Sequence, residues 1–106
     1  MTKVLRQGDV CLVRLQELPS LAKLNGETEL RIEGETAGHI HLACRVKVAV
    51  AERPRLDWNL LPPRQTLIVV DEPTIMTHPE HPPLEIPAGV YEVRQAREYG
   101  RSGGVD

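Results

Sequence analysis

The feature that most constrains this chain is an alternation with a period of two running through positions 39–50. The even positions are Ile40, Leu42, Cys44, Val46, Val48 and Val50; the odd ones are His39, His41, Ala43, Arg45, Lys47 and Ala49. Successive side chains of a strand point to opposite faces, whereas a helix would scatter both sets around its circumference. The pattern therefore predicts one strand, with the apolar stripe on a core and His39, His41, Arg45 and Lys47 on the polar face.

Shorter segments repeat the strand signature. Val10-Cys11-Leu12-Val13 follows Gly8-Asp9, Leu30 and Ile32 alternate with charges, and Thr66 to Val70 is β-branched and apolar between proline-bearing turns. Positions 90–97 follow Pro87-Ala88-Gly89, a tight-turn sequence. Nine prolines argue against long helices, and 18–24 is the one helical candidate. Positions 52–65, with three prolines around Leu56, Trp58, Leu60 and Leu61, read as a hairpin connection or irregular arm. The expectation is all-β: a small single-domain barrel or sandwich of about six to eight strands with at most one short helix. The domain spans 1–99, and the Gly- and Ser-rich 100–106 forms a flexible C-terminal tail.

Composition narrows the function classes. With no Phe, one Trp and two Tyr, the core must be aliphatic and base-stacking platforms are few. A net charge of −2 disfavours nucleic acid as a partner on bulk charge. No apolar run approaches ~18 residues, so no membrane association is expected, and the first residues lack a signal-peptide core. A cytoplasmic location follows as the expectation. Cys11 and Cys44 sit within apolar runs and read as buried small hydrophobes rather than a disulfide.

All four histidines fall in two tight groups, His39-Ile40-His41 and His78-Pro79-Glu80-His81. Imidazole is the commonest metal ligand, and two such pairs brought together would supply three or four nitrogens. The expected cofactor is a divalent metal, zinc first, with iron or nickel as alternatives. The expected ligands are His41, His78 and His81, with His39 as a fourth ligand or a supporting partner. Glu80 and Glu35 are the candidate catalytic carboxylates, with Glu85 a further acidic neighbour. A metal that keeps a water would hydrolyse a small molecule or phosphoester; a fully ligated one would staple the fold.

Two other classes stay open. Paired histidines beside Arg45, Lys47 or Arg94 could cleave a phosphodiester by metal-free acid–base chemistry, as a phosphodiesterase or RNase does. Alternatively, the chain is a non-enzymatic assembly module or homo-oligomer whose charged last strand, 90–97, is an edge that pairs with another chain. Gly8-Asp9 reads as a turn opening the first strand, with no chemical role for Asp9. The segment 33–38 has two glycines but not the spacing of a phosphate-cradling loop.

The order of Gly8-Asp9-Val10, Gly38-His39-Ile40-His41, His78-Pro79-Glu80-His81, Pro87-Ala88-Gly89-Val90-Tyr91 and Arg97-Glu98-Tyr99 resembles an uncharacterised family of small bacterial, archaeal and phage proteins. That resemblance spans nearly the whole chain and implies that the histidines belong together; it implies no activity. A looser likeness is to cupins, through His39-x-His41 and Pro87-x-Gly89. It lacks the glutamate after His41 and the histidine after Gly89, which leaves a convergent histidine site on a small β fold as the better description.

Overall fold

The computed structural model describes residues 3–34, 38–53 and 63–95. These form ten strands: β1 (Val4–Gln7), β2 (Val10–Leu15), β3 (Lys23–Leu24), β4 (Glu29–Glu33), β5 (Ile40–Cys44), β6 (Lys47–Glu52), β7 (Arg64–Val70), β8 (Thr74–His78), β9 (His81–Ile86) and β10 (Gly89–Gln95). One sheet has the order β1-β2-β10-β7-β6-β3 and the other β4-β5-β8-β9, with every pairing antiparallel. The sheets do not close into a barrel, so the all-β expectation resolves to a sandwich with more strands than expected. Among the described residues there is no helix, and none is long and apolar enough to cross a membrane. The helical candidate is instead a turn, with Ala22 N–H donating to Pro19 O at 3.0 Å, running into β3.

The core between the sheets is aliphatic, as the composition requires. Val10, Leu12, Ile68 and Tyr91 of the larger sheet meet Leu30, Ala43, Met76 and Ile86 of the smaller, all buried. Tyr91 donates its hydroxyl proton to Pro87 O at 2.7 Å, so this large aromatic, the only one in the core among the described residues, carries no unsatisfied polar atom. On the outer face of the larger sheet, Ala49, Ala51 and Leu67 are buried beneath Leu15, Leu18 and Ala22.

Four expectations are corrected. The single strand at 39–50 is two strands in different sheets, broken at Arg45, whose φ of 61° lies in the left-handed region. That residue shifts the alternation by one: His41 and Ala43 face inward before it, Val46 and Val48 after it. His41 is therefore fully buried, not on a polar outer face. Cys44 is exposed and Cys11 half-buried, so neither thiol is a core residue. Finally, β10 lies between β2 and β7, so the last strand is central rather than an edge, and the edge-pairing version of the assembly reading loses its strand. The hairpin reading of 52–65 agrees with the pairing of Glu52 to Arg64, but 54–62 lie outside the described residues, as do 35–37 and 96–106.

Candidate functional site

Topology alone brings the two histidine pairs together. β5 pairs with β8 through Leu42–Thr77 and Ala43–Met76, which sets His41 beside His78. β8 turns into β9 with His78 opposite His81, and a register shift between Met76 and His78 re-aims the strand end. The ring centres of His41 and His78 are 4.4 Å apart, those of His78 and His81 4.5 Å, and those of His39 and His78 5.7 Å. All four imidazoles thus form one cluster at the end of the smaller sheet.

His41 is its buried centre. Nδ1 lies 2.9 Å from Gln7 Oε1 and Nε2 lies 3.0 Å from Asp9 Oδ1. The amide of Gln7 is oriented by two bonds from Nε2, to Met76 O and Pro82 O, both 2.9 Å. Its oxygen must therefore face His41, and an amide oxygen only accepts, so His41 Nδ1 carries a hydrogen. Asp9 is held in turn by Gln95 Nε2, which donates to Oδ2 at 2.9 Å and also to Glu33 O at 2.7 Å. Burial works to raise the Asp9 carboxyl, but the bonds from Gln95 and His41 outweigh it and hold the group below its ordinary value. An ionised carboxylate also only accepts. Asp9 Oδ1 thus meets the second ring nitrogen of His41 at 3.0 Å in a largely water-excluded setting.

Above this centre lie the more open groups. His78 Nδ1 accepts from the backbone N–H of Glu80 at 3.0 Å. Burial first, and then the cationic forms of His41, His81 and His39, push His78 below the usual imidazole value, with Glu80 opposing. Glu80 Oε1 stands 3.6 Å from His39 Nδ1 and is well exposed. His81 is exposed, and among the described residues no hydrogen bond ties its ring. Glycines make room for these rings. A Cβ on Gly8, which takes φ 58° in the β1–β2 turn, would lie 2.6 Å from His81 Nε2. One on Gly34 would lie 3.4 Å from His78 Nε2 and 3.6 Å from His41 Nε2.

Of the sequence candidates, His39, His41, His78, His81 and Glu80 thus share one site. Glu35 lies outside the described residues. Glu85, on β9, pairs with Ile75 of β8 and is exposed, and among the described residues no hydrogen bond or ion pair joins it to the rings. Sequence reasoning missed three members: Asp9, taken for a turn residue only, and the glutamines Gln7 and Gln95. Among the described residues, no group of three or more His, Cys, Asp or Glu side chains is disposed, as it stands, to hold a metal ion.

Fold and site define a class: an antiparallel β-sandwich with a histidine cluster built around a buried His–Asp pair. Residues 6–96 match the model of a family described as a domain of unknown function, DUF8820, and the chain belongs to that family. No curated protein and no solved structure matches it.

Proposed function

We propose that the cluster is a divalent-metal site in which the ion replaces the proton between His41 Nε2 and Asp9 Oδ1. The observation that carries this reading is the 3.0 Å approach of His41 Nε2 to Asp9 Oδ1 at the centre of the four imidazoles. Ligands at ~2.0–2.2 Å from one zinc ion span such a distance. Gln7 fixes the hydrogen on Nδ1, the outer contact that presents a ligating histidine's other nitrogen to a metal. Completing the shell takes a turn of the exposed His81 ring, and of His78 with loss of its bond from Glu80. Zinc suits this nitrogen and oxygen set best, with iron or nickel next. An ion that retains a water beside exposed Glu80 would activate it for hydrolysis of a small phosphoester.

Metal analysis of tag-free protein tests the reading. The expected result is close to one equivalent of metal, lost in Asp9→Asn and His41→Gln variants that retain the β-sheet spectrum. It is accompanied by cleavage of bis-p-nitrophenyl phosphate that stops in chelator. Protein that binds no zinc on titration, and melts identically in chelator, overturns it.

One observation favours a second, metal-free reading. The rings of His39 and His78 lie 5.7 Å apart, edge to face, and His39 Nδ1 stands 3.6 Å from Glu80 Oε1. These two rings form a base and an acid for phosphodiester cleavage. That activity would persist in chelator and fall in His39→Gln.

A further inference from the structure

A cleft of about 740 Å³ opens between β4 of one sheet and β6, β7 and β10 of the other. Its floor is aliphatic, made by Leu30 and Ile32 facing Val48, Val50 and Val93. Polar and charged side chains make up the rest of the lining, Asn25, Thr28 and Arg31 on the β4 side among them. Thr66 and Arg64 stand two residues apart on β7 and so share the face that carries Ile68 into the core. Gln95 lines it as well, and since its amide also holds Asp9, the cleft and the imidazole cluster share a wall. A volume of this size is that of a small-molecule pocket, here an aliphatic floor beneath polar groups.

Charge selects the occupant. Glu27, Glu29 and Arg31 belong to the lining, Glu27 accepting from Asn25 and Glu29 from the Cys44 thiol. Arg53 and Arg94, also at the border, are engaged by Glu92. Arg31 and Arg64 are exposed, and among the described residues neither has an ion-pair partner, which offsets the two carboxylates of the lining. A guanidinium beside an aliphatic floor matches a molecule with a hydrocarbon body and an anionic head, because its fork of donors fits carboxylate or phosphate oxygens.

We propose that this cleft binds a small amphipathic anion, its apolar body on the Ile32–Val50–Val93 floor and its head group at Arg64. The inference stands independently of what cation the imidazoles hold. The fluorescent sulfonate 1-anilinonaphthalene-8-sulfonate and its neutral relative N-phenyl-1-naphthylamine are suitable probes for the folded protein. The expected result is saturable one-to-one binding of both, with displacement by dodecanoate or dodecyl phosphate showing which head group is preferred. Arg64→Gln should weaken the sulfonate about tenfold, the scale of one charge-assisted hydrogen bond, and leave the neutral probe unchanged. Val50→Trp should abolish both; Thr66→Phe serves the same end if the first variant fails to fold. His78→Gln should change neither. Absence of saturable binding, or equal binding by a folded cleft-filling variant, overturns the proposal. So does a sulfonate affinity indifferent to Arg64.

Discussion

The side-chain oxygen of Gln7 lies 2.9 Å from Nδ1 of His41, while the nitrogen of the same amide bonds two backbone carbonyls of the opposite sheet, Met76 O and Pro82 O. One buried side chain thus ties β1 to β8 and β9 and sets the hydrogen on the central imidazole. Gln7→Leu would leave two buried groups, Met76 O and His41 Nδ1, unpaired, and Pro82 O to find water. At roughly 1–3 kcal/mol for each unsatisfied group, a loss of about 3 kcal/mol is expected in urea unfolding. A variant as stable as the parent would show that Gln7 does not bridge the sheets.

Asp9 gives the site an acid-sensitive bond. Its folded carboxyl is held below the unfolded value, chiefly by Gln95 and His41 acting against burial. The unfolded chain therefore takes up protons first as pH falls. The stabilisation is complete above the unfolded value, about 3.9, and is lost as pH drops through the folded one. Glu92 is depressed in the same sense, with burial opposed by Arg94, Arg53 and Gln65, so both contribute to one acid limb. Asp9→Asn should flatten that limb below about pH 4 without removing the Glu92 share. Melting temperatures between about pH 5 and pH 2 supply the check; parallel curves would reject it.

His78 acts at higher pH with the same sign. Its folded value lies below the usual 6.5, so the unfolded chain protonates first as pH falls from neutrality. Stability should decline from about pH 7 towards pH 5, and His78→Gln should reduce that slope. NMR titration of the ring protons reads the same shift directly. A His78 midpoint at or above 6.5 would contradict it.

These residues also show what could be read from the chain beforehand. The two-residue period of 39–50 was legible, and with it the β class. Its phase was not, because Ile40 and Leu42 are more apolar than His41 and should have been the inward pair. The partners that make His41's burial tolerable, Gln7 and Asp9, lie more than 30 residues away in sequence. Arg45, the residue that switches sheets, belongs to a type that seldom takes a positive φ, so nothing local marked the break. The grouping of histidines was visible as two pairs, but their meeting depends on β5 pairing with β8. The charges of β10 suggested an edge, since only Arg94 of the groups that hold Glu92 lies on the same strand; Arg53 just past β6 and Gln65 on β7 come from elsewhere in the fold.

Glu92 is 1% exposed yet ionised, on the outer face of the larger sheet. It accepts from Arg53, from Arg94 at 3.0 Å and from Gln65 at 3.1 Å. Removing one partner of a buried pair strands the other charge, at about 3–5 kcal/mol. Glu92→Leu should therefore cost several times more than an exposed-surface change. Combining it with Arg53→Met should recover part of the loss, because the guanidinium that faced Glu92 goes too. Chemical denaturation of the two single variants and the double variant measures the coupling, and strict additivity would show that the pair is not a unit.

Gly8 connects backbone geometry to the imidazole cluster. At φ 58°, an alanine pays the left-handed penalty of roughly 1–2 kcal/mol whatever surrounds it. Its Cβ would also stand 2.6 Å from His81 Nε2, so the ring must move away from the cluster. The two effects separate in a double variant. Gly8→Ala in a His81→Ala background should show only the backbone penalty, whereas Gly8→Ala alone should also shift the His81 ring resonances and weaken zinc binding. Because His81 is exposed, the displacement costs little stability and registers mainly in the ligand set. A Gly8→Ala protein with unaltered His81 resonances would place the ring elsewhere than over the β1–β2 turn.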